Sequence, residues 1–319
     1  MISCDTLAGY NDADHCLSAI NVKLTCGLQV PSSNLTGRAK GMKIPGNGSQ
    51  PASNQHLAAS SAQDAAPSTS TLPVHDAIPF SRRILETLAI TATLTLIVLN
   101  VGRLATADIP VNWFTWFLIP VGMAAADFLS GLIHWGADTW GRESMPLIGR
   151  RLLHPFRVHH VNQADFLERR FIDTNGDVAI LALPGLVGIS LIPLETTLQY
   201  NLTTFCVSFL AVGSMTNQIH QWAHMPQPPW LVKQLQNCGI LLGRNAHALH
   251  HSPPYTENYC ITTGWCNRPL ASIDFFRRLE RGITRVTGYQ PRSDEEAYQE
   301  KFTNNVNEKP SLTSIHRGS

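Results

Sequence analysis

The stretch IPVNWFTWFLIPVGMAAADFLSGLIHWGAD (109–138) joins a long apolar run to residue types that bind metals. Until its last turns it contains a single charged side chain, Asp127. A helix of about 20 mostly apolar residues crosses the ~30 Å hydrocarbon core of a membrane, because each residue adds about 1.5 Å. His134 and Asp138 follow the apolar run directly. The stretch therefore predicts a membrane-spanning helix with a histidine and an acid at one end.

Three further runs are long and uncharged: TLAITATLTLIVLNVG (87–102), 178–194 and about 196–219. Short loops join the first run to the second and the third to the fourth. Buried helices of a soluble bundle are the alternative for any single run, but four runs in this arrangement favour a membrane. Only 15% of the residues are charged, against about 25% in soluble globular proteins. We predict an all-α integral membrane protein with about four transmembrane helices.

The positions of arginine predict the orientation. The connection between the second and third runs, 134–176, is rich in arginine, and so is the chain after the fourth run, whereas the two short loops hold Arg103 alone. Basic residues concentrate in cytosolic loops. We therefore expect the long connection and both termini on the cytosolic side.

Composition also predicts the domain limits. The segment 44–73 is rich in Ser, Ala, Pro and Gly and holds few large apolar side chains, so it cannot bury enough surface to offset the entropy of ordering. We expect residues 1–78 to form a disordered N-terminal tail, 79–289 a membrane domain and 290–319 a polar C-terminal tail.

Global charge and cysteine spacing exclude several classes. The formal net charge is +1, which provides no field for nucleic acid. The seven cysteines form no CxxC pair, so a disulfide framework and a thiolate zinc site are both disfavoured. A separate segment, DFFRRLERGITRVTG (274–288), is predicted to form a basic amphipathic helix. Such a helix lies on a membrane surface or packs on its own domain.

Histidines form four clusters, and each cluster falls on the expected cytosolic side. The clusters are HWGAD (134–138), HPFRVHH (154–160), HQWAH (220–224) and HALHH (247–251). Pairs such as His220 and His224 are four residues apart and share one face of a helix. We predict eight metal ligands: His134, His159, His160, His220, His224, His247, His250 and His251.

Eight imidazoles exceed the three or four that one tetrahedral zinc uses, so we predict two metal ions that keep open positions. Imidazole suits iron, zinc and copper. HExxH and CxxCH are both absent, which disfavours a zinc protease and a c-type haem. We expect His154 to lie outside the site, and the histidines of the predicted tails, His15, His56, His75 and His316, to be solvated.

Polar residues near the ligands are candidates for holding them, because metal-bound imidazoles donate their other N–H to carboxylates or carbonyls. Asp138 could itself be a ligand. Asn175 and Asp177 have an alternative interpretation as a helix cap. The supporting candidates are Asp127, Asp138, Asp173, Asn175, Asp177 and Asn217.

A cytosol-facing, all-histidine dimetal centre on membrane helices suggests oxygen activation. Iron with open coordination positions can use O2 and two electrons to break an unactivated C–H bond. The apolar spans would hold a lipid chain so that a fixed carbon meets the metal. The pattern therefore favours a lipid desaturase or hydroxylase, and a non-catalytic metal-storage protein or adaptor is the alternative.

Long motifs in this chain resemble the plasmanylethanolamine desaturase family, also called Kua-type lipid desaturases. The resemblance covers residues 80–292 and rests on SGLIHWGADTWG (130–141), PFRVHH (155–160), FIDTNGD (171–177), TNQIHQWAH (216–224), HALHH (247–251) and YCITTGWCNRPL (259–270).

The resemblance implies a membrane fatty acid desaturase-like fold with a histidine-rich, di-iron cytosolic cap, and it places the family's eight histidines on the eight named above. It also implies O2 as co-substrate, a vinyl-ether double bond in the sn-1 alkyl chain of plasmanylethanolamine and hence plasmalogen. Electrons would come from NAD(P)H through cytochrome b5 and its reductase. The location implied for a eukaryote is the endoplasmic reticulum membrane.

One departure lies at Arg169, Arg170 and Phe171, where the family often has HDF before the acidic run. A distant plastid branch of the family desaturates an acyl chain of phosphatidylglycerol. ITTGWCNRPL (261–270) is more similar to the ether-lipid branch, so an acyl-lipid desaturase or hydroxylase remains the alternative.

Overall fold

The computed structural model describes residues 72–294, in which all regular structure is helical. A π-helical turn at Gly149–Leu153 precedes α3. The helices are α1 Phe80–Thr106, α2 Trp113–Thr139, α3 His154–Val161, α4 Gln163–Glu168, α5 Phe171–Ser190, α6 Thr197–Ser214, α7 Thr216–His224, α8 Trp230–Asn237, α9 Arg244–His250, α10 Asn267–Ser272 and α11 Phe275–Thr287.

Four long helices form two parallel pairs. Helix α1 packs along α5 and α2 packs along α6, while α5 and α6 join the pairs. Gly122 lets α2 and α6 approach closely, because a Cβ there would lie 2.7 Å from the Phe205 carbonyl oxygen. Tyr200 Oη donates to the Leu104 carbonyl at 3.1 Å. The two short loops therefore lie at the same end of the bundle, as the hydropathy pattern predicts.

Polar side chains between the long helices are paired. Asn100 is fully buried and donates to the Leu96 carbonyl and to Ser190 Oγ at 2.8 Å. Arg103 Nη1 donates to Asn100 Oδ1 at 2.8 Å. Such hydrogen bonds fix helix contacts where water is excluded, so these residues hold α1 against α5 at the end opposite the histidines.

Three helices within residues 72–294 are long and apolar enough to cross a membrane: α1, α2 and α5. They contain most of the first three predicted runs. The fourth run forms α6, but the helix ends at Ser214, and α7 begins at Thr216 after the single residue Met215. Helix α6 has 18 residues and is not among these three, so a fourth span stays a prediction.

The chain before α1 packs on the domain. The His154 Nε2 atom lies 3.2 Å from the Val74 carbonyl, and Asn162 Nδ2 donates to the Pro73 carbonyl at 3.0 Å. The His75 side chain is 5% exposed and is paired with Asp165. The expectation of a solvated His75 is therefore wrong, because His75 is held by an acid of α4. The predicted tail residues 1–71, with His15 and His56, and residues 295–319, with His316, lie outside the described residues.

Helix α11 matches the predicted amphipathic helix and packs on its own domain. Phe276 forms an apolar cluster with Trp135 and Tyr259, against which Leu279 and Ile283 pack. The Trp135 indole N–H donates to Glu280 at 3.0 Å. The apolar face of α11 therefore supports the end of α2 that carries His134.

Candidate metal centre

Short helices bring the four histidine clusters together at one end of the bundle. The last turns of α2 carry His134 and Asp138, while α3, α7 and α9 carry the other clusters. An apolar cluster of Ile219, Ala223, Leu242 and Ile261 fixes the outer face of α7. The eight predicted ligands and Asp138 form two groups, in each of which one ligand atom per residue lies within 4.8 Å of all the others.

Group one consists of His159, His220, His224, His247 and His251. Three of its Nε2 atoms form a triangle, with 2.9 Å between His220 and His247, 2.9 Å between His247 and His224, and 3.2 Å between His224 and His220. The His251 Nε2 atom lies 3.0 Å from that of His247. Hydrogen bonds cannot satisfy such a triangle, because each ring nitrogen either donates one proton or accepts.

Group two consists of His134, Asp138, His160 and His250. Asp138 Oδ2 lies 3.2 Å from His134 Nε2, 3.3 Å from His250 Nε2 and 3.6 Å from His160 Nε2. The first of these contacts lacks the orientation of a hydrogen bond, since both atoms are buried without a hydrogen-bond partner. A carboxylate oxygen aimed at imidazole nitrogens completes a donor set for one cation.

The spacing of the nitrogens fits metal ions. Two nitrogens bound at about 2.1 Å and at right angles stand about 3.0 Å apart, whereas the tetrahedral angle gives about 3.4 Å. The triangle of group one matches the right-angled arrangement. His159 Nε2 is also buried without a hydrogen-bond partner, as expected of a ligand atom. The residues of both groups therefore fit two metal ions, and the spacing in group one indicates more than four coordination positions there.

Backbone carbonyls orient the imidazoles of group two. His134 Nδ1 lies 3.1 Å from the Tyr259 carbonyl, and His250 Nδ1 lies 2.9 Å from the Glu257 carbonyl. A carbonyl accepts only, so each Nδ1 carries the proton and each Nε2 keeps its lone pair for the centre. Sequence reasoning missed both partners, because a backbone carbonyl leaves no residue-type signal.

Four histidines of group one, which lie outside the spans, are held neutral. Burial, and after it the neighbouring imidazoles, lowers the pKa of His159, His247 and His251 well below the ordinary value. Burial, His160, His250 and Arg244 lower the pKa of His224 to about 3. Neutral imidazole is the form that binds metal, so the fold presents group one as ligands at neutral pH.

Asp127 accepts its hydrogen bonds from a loop and not from an imidazole, in contrast to its predicted role. The fully buried carboxylate accepts hydrogen bonds from the backbone N–H groups of Thr262, Thr263, Gly264 and Cys266, and from the Thr262 hydroxyl, at 2.8–3.2 Å. These bonds anchor the loop that carries the Tyr259 carbonyl. Asp127 therefore touches the loop behind His134 instead of an imidazole.

The acids and amides of α5 and α7 hold helices together. Asp173 accepts from Arg83 at 3.0 Å, and Asp177 is paired with Arg82 and Arg151. Asn175 donates to Gln218 at 3.0 Å and Asn217 to the Thr174 carbonyl at 2.9 Å. The cap interpretation of Asn175 and Asp177 is wrong, because Arg170 precedes α5 and both residues lie inside the helix.

His154 lies outside both groups, since it faces Glu143 at 3.1 Å and the Val74 carbonyl.

A cavity of about 620 Å³ between α1, α2 and α6 is apolar and is lined by none of the eight histidines. A cleft of about 90 Å³ reaches His159 and His220. The four cysteines within residues 72–294, Cys206, Cys238, Cys260 and Cys266, are free.

Comparison with known proteins identifies the family. The lipid desaturase domain matches residues 123–294, which contain both groups and more than half of the chain. The chain belongs to the lipid desaturase family. The predicted family is thereby confirmed, and this lipid desaturase is an oxidoreductase.

Relatives of this lipid desaturase carry two kinds of name. It is 40% identical over 219 residues to plasmanylethanolamine desaturase of Myxococcus xanthus, covering 67% of this chain and 76% of the relative. It is also 40% identical over 193 residues to plasmanylethanolamine desaturase 1 of Mus musculus, covering 58% and 70%. Identity to the chloroplastic fatty acid desaturase 4 of Arabidopsis thaliana is 33% over 177 residues, covering 54% and 52%. No solved structure matches the chain.

Proposed function

We propose that this protein is an O2-dependent di-iron desaturase that forms a vinyl-ether double bond in the sn-1 alkyl chain of plasmanylethanolamine. The observation that carries the proposal is the pair of adjoining groups, which offers eight imidazoles and one carboxylate at spacings suited to two cations. Imidazole-rich sites with open positions suit iron. The product would be a plasmalogen.

The reaction requires an electron donor. Alkyl ether, O2, two electrons and two protons give the vinyl ether and two molecules of water, so both C–H hydrogens leave as water. Bound iron would supply the activation of O2. The chain's own residues hold the ligands: the Tyr259 and Glu257 carbonyls keep His134 and His250 in one tautomer, and Asp138 contributes the negative charge of group two.

The ether substrate rests on the relatives. Identity is 40% to the two proteins named plasmanylethanolamine desaturase and 33% to the chloroplastic fatty acid desaturase. An acyl-lipid desaturase, such as one acting on a phosphatidylglycerol acyl chain, is the second candidate because those fatty acid desaturases match over a similar region.

Membrane placement completes the proposal. We place α6 in the membrane as a fourth span beside α1, α2 and α5, since it packs along α2, with Thr115 hydrogen-bonded to Asn201 and Ser208 to the Ile119 carbonyl. The histidine groups and both termini would face the cytosol, and residues 79–289 would form the catalytic domain between two tails. In a eukaryote the enzyme would lie in the endoplasmic reticulum membrane and take electrons from cytochrome b5 and its NAD(P)H reductase.

Expression in cells that lack vinyl-ether lipids tests the proposal. Lipid profiling by mass spectrometry should reveal 1-alkenyl phospholipids with the wild type and none with His250→Ala at equal protein level. Purified wild type should contain about two iron atoms per chain. If vinyl-ether lipids stay absent but a new acyl double bond appears, the result would favour the second candidate. Bound iron with an unchanged lipid profile would favour a storage protein.

A further inference from the structure

A second cleft lies beside group one, and its walls are basic. It measures about 500 Å³, within the range of ligand pockets, and is formed by α8, the turn 239–243, the start of α9 and residues 263–265. Lys233 and Arg244 line it together with Asn237 and Asn245, and no carboxylate does. Within residues 72–294 neither cation has an ion-pair partner. The cleft is therefore suited to an anion.

The position of the cleft relates it to the metal centre. Met225 directly follows His224, and Ala246 directly precedes His247, and both line the cleft. Arg244 is the first residue of α9, three positions before His247. An anion held between Lys233 and Arg244 would thus lie beside group one.

The elements that form the cleft also carry exposed apolar and aromatic side chains. Trp230 and Leu231 on α8 are 74% and 60% exposed, and Ile240 and Trp265 are also exposed. Trp265 belongs to the loop that Asp127 anchors, so it lies level with the part of α2 that precedes His134. Exposed tryptophan beside basic residues is typical of the membrane–water interface. The anion is therefore expected to come from a lipid rather than from solution.

The other cleft at the metal centre is less suited to this role. Arg169 lines it, but Asp173 and Asp177 line it as well, and it measures about 90 Å³. Asp177 already pairs with Arg151 there. Two carboxylates at the wall would repel a phosphate.

We propose that Lys233 and Arg244 bind the phosphodiester of the phospholipid substrate and so place the first carbons of its sn-1 chain at the metal centre. The inference rests on the proposed function. In a 1-alkyl glycerophospholipid six single bonds of about 1.5 Å separate phosphorus from the first alkyl carbon, a reach of about 7 Å. A phosphate site must therefore adjoin the ligands, as this cleft does at His224 and His247.

Lipid binding tests the inference without turnover. The full chain, purified in detergent, is mixed with phosphatidylethanolamine or with diacylglycerol of the same chains, and retained lipid is measured by native mass spectrometry. Wild type should prefer the phospholipid, and Lys233→Gln/Arg244→Gln should lose that preference by about tenfold or more, because two charged hydrogen bonds to phosphate are removed. Lys233→Arg should retain it. Arg278→Gln/Arg285→Gln, which neutralises two exposed arginines of α11, is the control of equal charge change.

Turnover supplies the second readout. With a 1-alkyl phospholipid, Lys233→Gln/Arg244→Gln should have a KM about tenfold higher than that of wild type and a kcat within threefold of it. Both proteins should act alike on 1-alkyl-2-acylglycerol, which lacks the phosphate. Unchanged preference in Lys233→Gln/Arg244→Gln, or an equal loss in Arg278→Gln/Arg285→Gln, would overturn the inference. Displacement of the lipid by millimolar inorganic phosphate would also overturn it, in favour of a free-phosphate site. If no desaturation occurs but the binding preference behaves as expected, the proposed function fails and the phosphate site stands.

Discussion

Two carboxylates of α2, Asp127 and Asp138, stand in opposite environments although the same helix carries both. Eleven residues separate them, which is about 16 Å along the axis. Asp127 receives five hydrogen bonds from the loop Thr262–Cys266. Asp138 Oδ2 has no hydrogen-bond partner and faces three imidazole nitrogens.

The difference indicates that Asp127 anchors a loop, whereas Asp138 is placed to bind a metal ion. A carboxylate that already accepts hydrogen bonds from N–H groups needs no metal ion to balance its buried charge. A buried carboxylate oxygen without a donor is costly unless a cation compensates it. The two acids are linked nevertheless, because the loop held by Asp127 also presents the Tyr259 carbonyl to His134. Asp127 acts on the centre only through that loop.

Removing an imidazole from group two should have the largest effect. His250→Ala removes a ligand that is fully buried and oriented by the Glu257 carbonyl, so we expect activity to fall by at least about 100-fold and iron to fall from two atoms toward one. Metal analysis and lipid turnover measure both. His154→Gln changes a buried histidine outside both groups and should retain iron. Activity that survives His250→Ala would reject the assignment of group two.

Neutralising Asp138, the acid that faces the histidines of group two, should have the next largest effect. Asp138→Asn keeps the size of the side chain but removes its charge, and we expect roughly 10- to 100-fold lower activity and one weakly held iron. The thermal midpoint of the metal-free protein should not fall, because the buried oxygen has no donor to lose. Asp108→Asn, in the exposed loop after α1, is the matched control. A large loss of metal-free stability would instead make Asp138 an anchor.

Neutralising Asp127, which anchors the loop 262–266, should act mainly on stability. In Asp127→Asn an amide N–H group replaces one acceptor oxygen, so we expect the free energy of unfolding to fall by about 2–4 kcal/mol. Thermal unfolding in detergent measures the change. Activity per bound iron should stay within about threefold of wild type. A protein of unchanged stability that has lost iron would place Asp127 at the centre after all.

Sequence alone predicts the features that depend on residue type and on the spacing of residues along the chain. The three apolar helices follow from hydropathy, and the grouping of the histidines follows from their spacing and the common side of the bundle. The role of Asp127 could not be predicted, because its partners are backbone N–H groups more than 130 residues away. Composition assigns His75 to the tail, because it carries no signal of the pairing with Asp165.

The smallest effect is expected at the second anchor of the same loop. Asn267 accepts from the Cys260 N–H and donates to the Cys260 carbonyl, both at 2.9 Å. Asn267→Ala removes two neutral hydrogen bonds, whereas Asp127→Asn removes the charge and one of the two oxygens that accept five, so stability should fall by only about 1–2 kcal/mol in Asn267→Ala. Iron content should stay at two, because Asp127 still holds the loop and Gly131, where a Cβ would collide with Cys260, keeps the loop close to α2. Thermal unfolding and metal analysis on both variants rank the anchors. A larger loss of stability in Asn267→Ala than in Asp127→Asn would mean that the two hydrogen bonds between Asn267 and Cys260 chiefly hold the loop, and with it His134.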